Sequence, residues 1–207
     1  MAVASQSGRR DPDRRRDAIR RRLRAAVEAM IADGDSYANV SIERLAGAAG
    51  ISRATFYTYF EGKGDLLHAW LEETLSELRA GGRTLLELDA GATPADVSRV
   101  LHRLLAGYRA HATVMVAVYD EATRDGQLRA VLDGAIDSAI TALAAWIEHG
   151  QAAGFVDREL LPCETASWLL WLLERGLNHV VPHADDARLQ ALAGTLAQMA
   201  WRTLYAD

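Results

Sequence analysis

Cysteine is nearly absent. The single thiol, Cys163, cannot close a disulfide within the chain, so packing and hydrogen bonds must hold the fold. Proline is scarce as well, with four in 207 residues, while Ala, Leu and Arg recur throughout; that mixture favours helices over strands. No continuous apolar run approaches the roughly 18 residues that cross a bilayer, and the arginine-rich start has no apolar core of a secretory signal. A protein of the reducing cytoplasm, without a membrane partner, is the expectation. The nucleophile-elbow, phosphate-loop, dinucleotide-glycine and zinc-helix patterns are all missing, so no enzyme activity is expected. The six histidines are scattered. His179 and His183 have helical spacing but Pro182 interrupts them, so neither a metal nor a cofactor is expected.

What is present is an uneven charge and a strong helical periodicity. Residues 1–66 carry 12 Arg and Lys against 9 Asp and Glu, whereas residues 67–207 carry 11 against 19. Nine arginines crowd into residues 1–24. A basic start on an acidic body suits contact with a polyanion, although a solvated tail has the same composition. Residues 1–12 read as a flexible basic arm. The apolar spacing then marks nine helices and no strand. The first begins at Asp13 and ends at Gly34. Ser41 caps a short second helix and Ser52 a third that ends near Phe60, with Ala48-Ala49-Gly50-Ile51 as the turn between them. A fourth runs from Asp65 to Arg79 and stops or kinks at Gly81-Gly82. Pro94 opens a fifth, His111–Tyr119 is a short sixth with a strand as the alternative, and Asp125–Gln151 is a long seventh. Pro162–His179 and Asp185–Tyr205 finish the chain. The eighth helix contains Trp168-Leu-Leu-Trp-Leu-Leu173, apolar all round, and therefore needs cover on several sides.

The second and third helices form a helix-turn-helix. Ile42, Leu45, Ala49, Ile51, Phe56 and Phe60 would pack the pair, leaving Ser52, Arg53, Thr55, Tyr57, Thr58 and Tyr59 on the outside of the third helix. A guanidinium can bond guanine bidentately in the major groove, and hydroxyls can bond phosphate oxygens. The run Ile42-Glu-Arg-Leu45-Ala46-Gly-Ala-Ala-Gly50-Ile51-Ser52-Arg-Ala-Thr-Phe56-Tyr57-Thr-Tyr-Phe60-Glu-Gly-Lys63-Gly-Asp-Leu66-Leu67 resembles the DNA-binding domain of the TetR family of transcriptional regulators. The resemblance implies an all-α fold, three N-terminal helices on a six-helix body. It also implies a helix-turn-helix DNA-binding domain at residues 13–64 and a ligand-binding and dimerisation domain at 65–207. It implies that Arg53, Ala54, Thr55 and Tyr57 face bases and that Ser41, Thr58, Tyr59 and Lys63 hold phosphates. Ser52 joins this set as the cap of the reading helix. Gly64 departs from the acidic or polar residue usual after that lysine and loosens the start of the fourth helix. A structural ring with a wet hydroxyl remains the alternative for Tyr57, and a phosphate contact or surface ion pair for Arg53.

The body is less specific. The stretch from Trp168 through Arg175 and the final Leu204-Tyr205 are somewhat similar to the ethionamide-resistance repressor branch, but leucines at 170 and 173 stand where that branch has ligand-bonding asparagines. Trp70, His102, Tyr108, Tyr119, Trp146, Trp168, Trp171 and Asn178 are the candidate walls of a pocket for a small, largely apolar effector, with plain core packing as the alternative for each. The last two helices are the candidate homodimer surface, using small residues such as Ala191, Gly194 and Ala197 for close approach, unless those faces only close the monomer core. Together these readings point to a repressor that grips palindromic double-stranded operator DNA as a dimer and releases it when a small molecule enters the body. The alternative is a helical small-molecule-binding protein whose helix-turn-helix is only structural.

Overall fold

The computed structural model describes residues 10–205, and over them the chain is all-helical. Its nine α-helices are α1 (Arg10–Ala32), α2 (Ile42–Ala48), α3 (Arg53–Tyr59), α4 (Lys63–Leu86), α5 (Pro94–Arg109), α6 (Ala112–Ala122), α7 (Gly126–Ala153), α8 (Pro162–His179) and α9 (Asp186–Leu204), with 3₁₀ turns at Tyr37–Asn39 and Val181–His183. Most of the basic arm expected at 1–12 lies outside the described residues, and α1 begins at Arg10, inside that arm. A single bridge, Val156 to Tyr205, ties the loop before α8 to the end of α9.

Local chemistry accounts for the boundaries. Ser41 Oγ accepts from the Arg44 amide, Ser52 Oγ from the Thr55 amide and Asp185 from the Arg188 amide, each satisfying a donor that the first helical turn cannot. Thr93 and Asp96 form a reciprocal capping box ahead of Pro94. Gly154, with φ +85°, ends α7 in the left-handed conformation. The fourth helix departs from expectation: it passes through Gly81-Gly82 and ends at Leu86. A Cβ at Gly81 would sit 3.4 Å from a methyl of Leu104, an ordinary contact, and Gly82 faces open space, so neither glycine has a conformation or a packing role that stops the helix.

One continuous core joins the N-terminal helices to the body, running from Leu23, Leu45, Phe56 and Phe60 through Leu67 and Trp70 to Val118, Leu128 and Leu189. A smaller cluster, Ala144, Ile147, Val156, Ala166 and Leu204, fastens the far end of α7 to α8 and α9. The packing of α7 and α8 differs from the sequence reading. The long helix α7 is long and apolar enough to cross a bilayer by length and composition, although no uninterrupted apolar run suggested it, because Asp133, Asp137, Ser138 and Thr141 break up its Ala, Ile, Leu and Val. Only 22% of its most apolar window is buried. Along its apolar positions Leu128, Leu132 and Ile147 are buried, and Val131, Ile136, Ile140 and Leu143 are half-exposed. On α8 only Ala166 and Leu177 are buried, while Trp168 is 79% and Trp171 46% exposed.

Candidate nucleic-acid interface

The turn between α2 and α3 is built around Gly50, whose φ of +63° lies in the region that costs an L-residue strain. Its carbonyl accepts from the Arg22 guanidinium of α1 at 2.8 Å, and an added Cβ would come within 2.6 Å of that same nitrogen. The Ile51 amide closes the turn on the Ala46 carbonyl at 2.9 Å. Phe56 and Phe60 are buried with rings 5.6 Å apart and pin α3 from below.

The outer face of α3 then presents polar groups in a fixed arrangement. Arg53 is 61% exposed at the side chain, pairs with Glu43 of α2 and lies 5.5 Å over the ring of the exposed Tyr57. The hydrogen bond with Tyr57 and, after it, the Glu43 charge hold the guanidinium above its ordinary pKa. Glu43 is lowered in turn, first by a backbone hydrogen bond and then by Arg53. Ser52 and Thr55 share a 2.9 Å hydroxyl contact, and the Thr58 hydroxyl donates to the Ala54 carbonyl at 3.0 Å. Ser41, Ala54 and Thr58 are exposed on this side.

Two expected contacts are placed differently. Tyr59 is half-buried against the core and is not free on the surface. Lys63 turns inward, and its Nζ donates to the carbonyls of Tyr37 (2.9 Å), Ala38 (3.0 Å) and Val40 (2.8 Å), 5.0 Å from the Tyr37 ring centre. Those carbonyls span the 3₁₀ turn and its C-cap Val40, and the partial burial of the ammonium lowers its pKa. The side chain therefore clasps the Tyr37–Val40 segment to α4. The arginines of α1 also divide. Arg14, Arg15, Arg16 and Arg21 are exposed, whereas Arg20 pairs with Glu73, Arg22 holds the turn, and Arg24 donates to the Ala110 carbonyl at 2.6 Å.

A two-helix motif with its reading helix capped, pinned and facing solvent is found again by comparison. Residues 23–70 match the model of bacterial regulatory proteins of the tetR family. These residues form a tetR-family domain. Among curated proteins none matches the chain. Solved structures share the whole fold. The TetR-family transcriptional regulator PfmR from Thermus thermophilus is 21% identical with a TM-score of 0.72, over 88% of this chain and 98% of its own. A TetR transcription regulator from Haloarcula marismortui is 21% identical with a TM-score of 0.70, over 93% and 99%. A transcriptional regulator from Saccharomonospora viridis, in complex with choline, is 23% identical with a TM-score of 0.66, over 91% and 98%. The family match is confined to residues 23–70, and the fold of the described residues as a whole is the one that these solved structures share.

In that body the eight candidate pocket residues separate. Tyr108, Tyr119 and Asn178 meet. The Tyr108 hydroxyl donates to Asn178, whose amide donates to the Glu174 carboxylate at 2.8 Å, and Tyr119 lies against the same pair. Burial pushes the Tyr119 hydroxyl up to about 12 and that of Tyr108 higher still. Trp70 is wholly buried, edge-on to Tyr37 at 6.5 Å. Trp146 belongs to the far cluster and donates to the Leu88 carbonyl at 3.0 Å. His102 faces the start of α9 near Asp186, and Trp168 and Trp171 stand in solvent. A cleft of about 300 Å³ lies instead between α4 and α5, walled by Leu78, Val100 and Leu104. Tyr108 borders it, as do Thr74, Glu77 and His111, which the sequence reading passed over. His111 Nε2 lies 2.9 Å from a Glu77 oxygen, a pair separated by 34 residues and so without any local spacing to announce it.

Proposed function

We propose that the chain is a transcriptional repressor that binds a palindromic operator as a homodimer and releases it when a small, largely apolar molecule enters the body. Residues 13–64 form the DNA-binding unit and residues 65–207 the effector and dimer unit. The observation that carries this reading is the outer face of α3, where Arg53, Tyr57, Ser52 and Thr55 are held in place by a cap, a turn and two buried phenylalanines, yet remain open to a partner. A helix-turn-helix kept only for packing has no use for that set. Arg53 reads a guanine edge, Tyr57 and the hydroxyls contact backbone and base, and the amides at the start of α4 take the phosphate role that the Lys63 side chain does not fill.

Dimerisation is supported by the uncovered apolar side chains Trp168, Trp171 and Leu172 of α8 and Met199 of α9. Ala197 and Ala193 are buried within the single chain, where α9 packs on α5, so α8 supplies the larger share of the paired surface. A two-fold axis there would set two reading helices about one helical turn of DNA apart, ~34–36 Å. For release, the Arg24 bond to Ala110 offers a route: Ala110 caps α5 beside His111 at the cleft, and Arg24 belongs to the helix that holds the α2–α3 turn. A molecule that shifts the α5–α6 junction would favour a different setting of α1, a population shift between two arrangements of the dimer. A structural neighbour in complex with choline is a precedent for a small organic molecule on this fold.

Fluorescence anisotropy on DNA from upstream of the chain's own gene, against scrambled DNA, tests the reading. Selective, salt-sensitive binding by ligand-free protein is expected. Failure there and on a random-sequence selection would leave the chain a helical binding protein.

A further inference from the structure

Tyrosine and tryptophan aside, the buried polar side chains among the described residues are Thr74, 1% exposed, and His111, 6% exposed. Both line the cleft between α4 and α5, at the same end as Glu77. An apolar cleft has no packing reason to gather them, because each buried polar atom must find a partner or cost stability.

Their hydrogen-bond states all lean one way. An ionised carboxylate only accepts, so the 2.9 Å contact between Glu77 and His111 Nε2 places a proton on Nε2. In the neutral ring Nδ1 is then an acceptor, and it is buried with no hydrogen-bond partner among the described residues. The Thr74 hydroxyl, on the lining of the cleft, spends its proton on the Trp70 carbonyl at 3.0 Å, which leaves it only lone pairs to offer. Tyr108, at the same end, spends its proton on Asn178. The result is a carboxylate, an imidazole nitrogen and hydroxyl oxygens, acceptors throughout, beside a wall of Leu78, Val100 and Leu104. Arg103, the cation of the cleft, belongs to α5, whereas His111 lies past the end of that helix as the N-cap of α6, and the Arg103 side chain is in solvent.

We propose that this end of the cleft binds the ammonium head of a small primary amine whose apolar body lies along α4 and α5. An ammonium supplies three donors and the charge opposite to Glu77, and no neutral or anionic head of that size does both. Binding would complete the hydrogen bonding of His111, which sits beside the Ala110 carbonyl held by Arg24. The proposal rests on the effector reading above and names the chemistry of its ligand.

Isothermal titration of the full-length protein with 3-phenylpropylamine, 3-phenylpropanol and 3-phenylpropionate tests it, since the three probes share one apolar body. The amine is expected to bind at least ten-fold tighter than the alcohol, about 1.4 kcal/mol, with the carboxylate weakest. Glu77→Gln, which keeps shape at a half-exposed position, should erase the preference for the amine while leaving thermal melting unchanged. Equal or tighter binding of the carboxylate, an amine affinity indifferent to Glu77→Gln, or no saturable amine binding at millimolar concentration would each overturn it. Operator binding by ligand-free protein is read separately, so a protein that takes the amine and ignores DNA would keep this site and lose the regulator.

Discussion

The N-terminal domain and the body spend their polar side chains in opposite directions. In residues 23–70 the polar groups that matter face outward and are organised by near neighbours: Ser52 with Thr55, Arg53 with Tyr57 and Glu43, Thr58 with Ala54. In the body they face inward and are joined across long stretches of chain: Tyr108 with Asn178, and the buried His111 with Glu77. The apolar side chains reverse the pattern. The helix-turn-helix buries its aromatic rings Phe56 and Phe60, whereas α8 leaves two tryptophans in solvent. In the proposed repressor, a surface that reads a regular polymer would need fixed polar groups outside, and a body that pairs and receives a small molecule would need apolar cover outside and acceptors within.

This contrast can be tested by disturbing each side in turn. The largest effect belongs to Phe56→Ala, which should cost about 3–5 kcal/mol of stability. Because Phe56, Leu67 and Trp70 share one continuous core, thermal circular dichroism should show a single transition shifted downward; two separated transitions would divide the regions into independent cores. Next comes Trp168→Glu with Trp171→Glu. Buried aromatic anchors contribute about 2 kcal/mol or more each to an interface, so analytical ultracentrifugation should find a helical monomer where the wild type is a dimer, with operator affinity reduced. A dimer that survives both charges would move the interface off α8.

Arg53→Ala should weaken operator binding by about 1–3 kcal/mol with melting unchanged, and should relax preference at one base position of the site. Glu43→Gln frees the same guanidinium and removes a negative charge from the DNA face. It should raise affinity for scrambled DNA several-fold, as measured by anisotropy at low salt; no gain would mean that Arg53 is not restrained by its pair. The smallest effect is on acid stability. Asp125 is held below the usual carboxylate range first by the Leu128 amide, and Asp96 first by the Thr93 hydroxyl. A folded pKa below the unfolded one gives stability that is present above the unfolded value and lost as pH falls through the folded value. The melting temperature should therefore drop below about pH 4, and Asp125→Asn should make that drop shallower.

The helix-turn-helix was legible because its rules are local. Ser41 and Ser52 cap within three residues, Gly50 supplies the one positive φ that the turn needs, and the spacing from Leu45 to Phe60 declares which side is buried. Partners far away in sequence were not legible. Arg22 reaches Gly50 across 28 residues, Lys63 reaches Val40 across 23 and Arg24 reaches Ala110 across 86, and each turns an arginine or lysine that reads as a surface cation into a tie. Glu43, ten residues before Arg53, had no pattern to mark it as that residue's restraint.

The amino-acid sequence by itself determined nine helices, the serine caps of the second and third, and most of the outward face of the third, Tyr59 excepted, since these depend on interactions within a few residues of chain. Only the tertiary structure decided that α4 runs through Gly81-Gly82, that the candidate aromatic residues disperse while Thr74, Glu77 and His111 gather at one cleft, and that α8 stays uncovered in the single chain. Helical periodicity tells which residues are apolar on a face; which neighbour covers that face depends on how α5 packs between α4 and α9, and that arrangement is set by side-chain volumes meeting across the core.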